Sequence, residues 1–163
     1  MSMIIDGTNG LTFNNATTQA SAGQVLQVVQ GTYNINQANS TSTYADTGLA
    51  TSITPKFSTS KVLVIINQAG CGKVTNNTGV NLILQRAGST IYQIASGMGF
   101  NAQTSTTNRF FTISGAYLDS PATTSSIQYK TQFASFAGNA QVNVQDYATD
   151  LVTSTITLME IAA

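Results

Sequence analysis

The segment LVTSTITLMEI, residues 151–161, alternates along its whole length. Val152, Ser154, Ile156 and Leu158 fall on one side of an extended chain, and Thr153, Thr155, Thr157 and Met159 on the other. A side-chain period of two belongs to a strand and not to a helix. GVNLILQR sets Val80, Leu82 and Leu84 against Asn81, Ile83 and Gln85, and AQVNVQ sets Val142 and Val144 against Asn143 and Gln145. KVLVII, residues 61–66, is a short continuous apolar run, as expected of a strand covered on both faces. QVLQVVQGTYNI, STIYQIAS, RFFTISGAYL and SIQYKTQFASF complete the series. No window of about 15 residues combines helical periodicity with capping signals.

Turn chemistry separates the segments. It reads Asp6-Gly7, Asn9-Gly10, Thr54-Pro55, Gly70-Cys71-Gly72, Ala87-Gly88-Ser89 and Ser120-Pro121. Strands at this spacing predict an all-β fold, an antiparallel jelly-roll-like β-sandwich of about eight strands with an extended N-terminal arm. In the arm, Met3, Ile4 and Ile5 and then Leu11, Thr12 and Phe13 are strand fragments too short to form a core. Residues 14–24 read as a linker. The expected boundary near Ala22 divides residues 1–22, an attachment arm and tether, from a β domain over 23–163.

Charge narrows the functional classes. Only 7% of the residues are charged, against about 25% in ordinary soluble domains. Thr, Ser, Asn and Gln supply 68 of the 163 residues, so the polar surface is made of hydroxyls and amides. Net charge is zero, with no basic stripe to neutralise phosphates and no polybasic stretch for an anionic membrane. The longest apolar run, Val62 to Ile66, is far short of a membrane span. A neutral surface repels other copies weakly and suits a chain that works inside an assembly.

Catalytic signatures are sparse. The absence of His excludes Ser-His-Asp catalysis and His-based metal sites. NQAGCGKVT, residues 67–75, is superficially like a phosphate-binding loop. However, Asn67 stands where that motif needs glycine and Val74 where it needs Ser or Thr, so a tight turn is expected. Cys71 lacks a His to activate it, though Lys73 is near in sequence; an inert small residue in the turn is the plainer reading. Asp146 and Asp150 flank Tyr147 and are the least implausible carboxylate pair for glycoside hydrolysis; they serve equally as turn residues. No run resembles a dedicated calcium loop, and no metal or other cofactor is expected. Asn15, Asn39 and Asn76 begin sequons that chance explains in so Asn- and Thr-rich a chain. Tyr44 and Tyr147 lie outside the clearest strands and are the candidates for glycan contact.

DGTNGLTFNNATTQASA resembles the N-terminal arms of bacteriophage virion proteins, with Asn14 where those arms often carry proline. TGLATSITPKFSTSKVLV, YLDSPATTSSIQYKTQF and STITLMEI are similar to the β domains of phage fibre and head-fibre proteins. The resemblance implies a non-enzymatic virion accessory protein, typically a homotrimer: a capsid cement or decoration protein, a head fibre or a short tail fibre. It implies a location on the virion surface after synthesis in the host cytoplasm, since no signal-peptide pattern is visible. The partners expected are further copies of itself and the major capsid protein or another virion protein. Ile4, Ile5, Leu11 and Phe13 would then anchor the arm to an exposed strand edge of a partner. Phe110, Phe111 and Phe133 are candidates for trimer contact, with each subunit's own core as the alternative. A tail-fibre tip or lectin-like module reading host-surface glycan is the other functional class.

Overall fold

The computed structural model describes residues 4–6, 10–12, 18–19, 24–74, 77–102, 108–138, 140–146 and 152–163. Three short strands lead: β1 (Ile4–Asp6), β2 (Gly10–Thr12) and β3 (Thr18–Gln19). Ten more follow: β4 (Val25–Tyr33), β5 (Gln37–Asn39), β6 (Ala45–Ile53), β7 (Lys61–Lys73), β8 (Thr78–Arg86), β9 (Ser89–Asn101), β10 (Asn108–Asp119), β11 (Ile127–Ser135), β12 (Val142–Val144) and β13 (Ser154–Ile161). No helix occurs among the described residues.

The eight long strands build two antiparallel sheets. One runs β4-β13-β7 and continues through β10 on the free side of β7; β12 and β5 extend it beyond the end of β13. The other runs β6-β11-β8-β9. Counted one to eight along the chain, the orders are 1-8-3-6 and 2-7-4-5, which is the jelly roll expected from the sequence. Ala87 and Gly88 close the β8–β9 hairpin with φ of 47° and 85°. Positive φ at both central residues is the turn whose twist matches the paired strands.

Two apolar clusters fill the space between the sheets. The first gathers Leu49, Ile53, Val62, Val64, Ile66, Leu84, Tyr129, Ile156 and Leu158. The second gathers Cys71, Val80, Leu82, Ala95, Ile113, Phe133, Val142 and Val144. Each fully buried aliphatic side chain contributes about 1.5–3 kcal/mol by leaving water. A buried polar layer lies where the clusters meet. Gln68 Nε2 donates to Ser154 Oγ at 3.1 Å, and Thr131 Oγ1 donates to Gln68 Oε1 at 2.9 Å. The hydroxyls of Thr131 and Thr47 share a bond of 2.6 Å. This layer ties β7 and β13 of one sheet to β11 and β6 of the other. Toward one end, Arg86 Nη1 on β8 donates to both Asp119 carboxylate oxygens on β10 at 2.8 Å. Tyr129 Oη on β11 donates to Asp119 Oδ2 at 2.6 Å.

Two sequence expectations change. Gly70-Cys71-Gly72 is not a turn, because β7 runs straight through it. The β10 partners step from Phe111↔Cys71 to Ile113↔Gln68, so an extra residue bulges on β7 at Ala69–Gly70. Gly70 takes φ of 58°, and a Cβ there would lie 2.6 Å from the Asp146 backbone nitrogen. The glycines permit a bulge, and the apolar residues around them continue the strand. The arm's fragments also pair with one another, Ile5 opposite Leu11 and Leu11 opposite Gln19, in a separate three-stranded meander. β3 falls within the tract read as a linker.

Glu160 fastens the loop between β6 and β7. Its carboxylate accepts from Gln27 Nε2 at 2.6 Å and from the Lys56 backbone N–H at 2.7 Å. Burial pushes its pKa up, but the combined hydrogen bonds outweigh burial and leave it below its ordinary value of 4.5. A carboxyl depressed on folding contributes stability above its unfolded pKa and loses it as pH falls through the folded value. Glu160→Gln is therefore expected to lower Tm at pH 7 and to flatten the fall in Tm below pH 4.5, as followed by circular dichroism. An unchanged acid limb would contradict this role.

Candidate interaction surface

The registers that assemble the first sheet also align residues on its outer face. Met159 lies opposite Val28 on β4 and Leu63 on β7, and Leu63 lies opposite Leu118 on β10. Val28, Met159, Leu63 and Leu118 thus form one apolar row crossing four strands. The neighbouring row holds Gln30, Thr157, Ile65 and Ala116, and the next Thr32, Thr155, Asn67 and Ser114. Val25 and Ile161 pair at the other flank. Val28 is 56% exposed, Leu118 48% and Ile65 42%. Single exposed apolar residues are ordinary, but here apolar residues align across four strands, with hydroxyls and amides on one flank and exposed Lys61 beside Ile161 on the other, a composition that marks a candidate interaction surface.

A smaller aromatic patch lies at one end of the sandwich. The pairs Ser154↔Tyr33, Asn108↔Lys73 and Thr78↔Asn101 mark that end. There the exposed rings of Phe100 and Phe136 meet edge to face at 5.9 Å, close to exposed Met98. Chain entry into β4 is at the opposite end, where Gln24 O accepts from Ala162 N.

The sequence candidates distribute unevenly over these surfaces. Phe133 is 1% exposed inside the second apolar cluster, and Phe111 packs against the same cluster. The Phe133 ring is closed within its own subunit and has no surface to offer a neighbour, so the core alternative describes it. The side chain of Phe110, Phe13 and Tyr147 all lie outside the described residues. Tyr44 is half-buried just before β6, and burial raises its phenol pKa. Ile4, Ile5 and Leu11 lie on the meander strands β1 and β2.

The groups weighed for catalysis have structural partners. Cys71 is fully buried, and burial pushes its thiol up to about 12. Lys73, near it in sequence, is also buried and donates to Asn101 O at 2.9 Å. Asp146 accepts from Asn36 Nδ2 at 3.0 Å and Asn143 Nδ2 at 2.7 Å, and Asp150 lies outside the described residues. Asn39 is a buried loop fastener, donating to Thr43 O and Phe133 O. A notch of about 140 Å³ beside Asp46, Gly48 and Gln128 holds a single carboxylate, ion-paired with Lys130 at 2.7 Å. Among the described residues no group of three or more His, Cys, Asp or Glu side chains gathers to hold a metal.

No family model and no curated protein matches this sequence. Among solved structures, the infectious bursal disease virus VP2 subviral particle is similar with a TM-score of 0.45 and 14% identity, over 89% of this chain and 34% of that one. The structure of the Gx strain of that virus is similar with a TM-score of 0.32 and 14% identity, over 85% of this chain and 37% of that one. The chain spans about a third of the length of the chains it resembles.

The burial of Cys71 gives a direct check. A thiol reagent at pH 8 should leave the native protein unlabelled and label it stoichiometrically in denaturant. Rapid labelling of the native protein would return Cys71 to the list of candidate nucleophiles.

Proposed function

We propose that this protein is a non-enzymatic structural component of a virion. In this reading it is a bacteriophage capsid cement, decoration or head-fibre protein that assembles as a homotrimer and is held in place by its N-terminal arm. The observation that carries the reading is the apolar row of Val28, Met159, Leu63 and Leu118, exposed at Val28 and Leu118 and half-buried at Met159 and Leu63, on a chain with 7% charged residues. A row of this kind is costly to leave in water, and a neutral surface does little to keep copies apart. The jelly-roll order supports the reading at the level of fold, because it supplies a rigid two-sheet body with faces free for packing. The sequence resemblance to phage virion proteins points to the same class.

The arm supplies the attachment. Its short strands have backbone groups at the outer edges of β1 and β3 to offer a partner, and Ile4, Ile5, Leu11 and Phe13 supply apolar anchors. Three arms in one trimer add avidity without any new contact. The major capsid protein or another virion protein is the partner in this reading, on the virion surface.

A tail-fibre tip or lectin-like module is the second reading, favoured by the exposed Phe100–Phe136 pair at the end away from the chain's entry into β4. Loss of reproducible glycan binding on Phe100→Ala or Tyr44→Ala would support it.

Light scattering on the full chain tests the assembly. A trimer is expected at micromolar concentration, and Leu63→Asp with Leu118→Asp is expected to yield a folded monomer with Tm shifted by only a few degrees. A wild-type monomer would overturn the assembly, and an unaltered trimer in the double variant would overturn the role of this face. Deletion of residues 1–22 should abolish decoration of particles, and full decoration without them would overturn the arm's role.

A further inference from the structure

The outer face of the second sheet has a different chemistry from that of the first. On β11 the alternate residues Tyr129, Thr131 and Phe133 are buried, so Gln128, Lys130 and Gln132 face outward. On β6 they stand opposite Ser52, Ala50 and Asp46. β6 is an edge strand, and its pairing steps from Ala50↔Lys130 to Asp46↔Gln132. Thr47, Gly48 and Leu49 therefore stand against Thr131 alone, as a bulge. Gly48 takes φ of 85°, and a Cβ there would lie 2.1 Å from the Tyr33 ring, so the position requires glycine. Thr47 Oγ1 accepts from the Leu49 N–H at 3.0 Å and shares its bond with Thr131, which pins the bulge from inside. Bulges at sheet edges bend the strand and re-aim side chains. Here the bulge lies at the notch of about 140 Å³ between Asp46, Ala50, Gln128 and Lys130.

The notch holds one negative and one positive group. Asp46 Oδ2 accepts from Lys130 Nζ at 2.9 Å, and Oδ1 from Gln132 Nε2 at 2.6 Å. These bonds lower the Asp46 pKa below its ordinary value of 3.8, so the carboxylate is charged at neutral pH. The Asp46 side chain is 56% exposed, and so open an ion pair adds little to stability. Its presence on a chain with only six acidic and six basic residues calls for another reason. A carboxylate fixed by two donors still has lone pairs for a hydroxyl, and the exposed Gln128 amide adds a donor and an acceptor. Leu49 and Ala50 supply an apolar wall. Tyr44 stands two residues before Asp46, the interval that returns a side chain to the same side of an extended chain.

Three properties of the notch define its ligand. Its charges cancel, which gives no preference for a phosphate or a sulfate. Its volume is well below the roughly 300 Å³ at which ordinary small-molecule pockets begin, so it admits a single ring. It offers hydrogen bonds on one side and apolar contact on the other. A neutral pyranose has these attributes, with hydroxyls around its edge and C–H groups on its face. Resting on the glycan-binding reading above, we infer that the β6 bulge forms a subsite for one neutral sugar residue, held by Asp46, Lys130 and Gln128. The contact then lies at this notch and not at the Phe100–Phe136 pair. The notch is on the sheet opposite the apolar row, so assembly through that row leaves it open.

Surface plasmon resonance tests the subsite. The full chain is passed over albumin conjugates of galactose, glucose, mannose, N-acetylglucosamine and sialic acid. At least one neutral conjugate is expected to bind. Asp46→Asn and Gln128→Ala are each expected to weaken that binding at least about tenfold, the loss of one hydrogen bond to a charged or fixed group, and Phe100→Ala to leave it unchanged. Both notch positions are exposed, and circular dichroism checks that each variant is folded; either one alone decides the outcome. No binding to any conjugate overturns the glycan-binding reading and this inference together. Binding lost in Phe100→Ala and kept in the notch variants overturns the subsite and leaves the glycan-binding reading standing. Binding to the sialic acid conjugate alone overturns the neutral ligand.

Discussion

Gln68 sits at the junction of the two apolar clusters, and its amide is shared between the sheets. Nε2 reaches Ser154 on β13, while Oε1 receives the Thr131 hydroxyl on β11. A buried amide with both ends paired is worth about one net hydrogen bond in stability. Left unpaired it costs about 1–3 kcal/mol. That asymmetry makes the layer a registration device. Apolar burial already sets which residues of each strand face inward, and a slip would in addition strand Gln68, Ser154, Thr131 and Thr47 together. Register has consequences on the other face of the same strands. A one-residue shift would turn Leu63 and Met159 inward and Val62 and Leu158 outward. The outer apolar row therefore keeps its observed alignment because inner apolar burial and the polar layer together hold β7 and β13 in step.

Among the described residues, the reactive groups lie inside and the apolar and amide-rich surfaces lie outside, which fits the contact role proposed above. Cys71, Lys73 and Asp146 are held by burial or by structural hydrogen bonds. The exposed features are an apolar row, an aromatic pair and a neutral field of hydroxyls and amides. In the proposed assembly, binding through such a surface depends on shape and excluded water and only weakly on salt, because few charges are available to screen.

The sequence carries the strands plainly and the surface hardly at all. Alternation in residues 152–159 and 80–85 assigns β13 and β8 and sorts their two faces correctly. β7 is legible as far as Ile66. Beyond it, Gly70 and Gly72 give a turn signal that is in fact a bulge, because local glycine chemistry does not reveal whether the chain reverses or only kinks. Gln68, Thr131 and Ser154 look like surface residues in a chain with so many of their kind; only the facing of two sheets makes them interior. The apolar row was hidden for a related reason. It takes one residue from each of four strands far apart in sequence, so no local window contains it. Phe110, Phe111 and Phe133 draw attention by local density, yet Phe133 belongs to the core.

The central claim is that the outer face of the β4-β13-β7-β10 sheet is covered in the assembled protein. Hydroxyl-radical footprinting read by mass spectrometry measures that cover at the side chains concerned. Met159 and Leu118 should be oxidised several-fold more slowly in the assembled protein than in the dissociated chain. Exposed Phe57, on the loop after β6, should react at the same rate in both. Equal oxidation of Met159 and Leu118 in the two states would contradict the account.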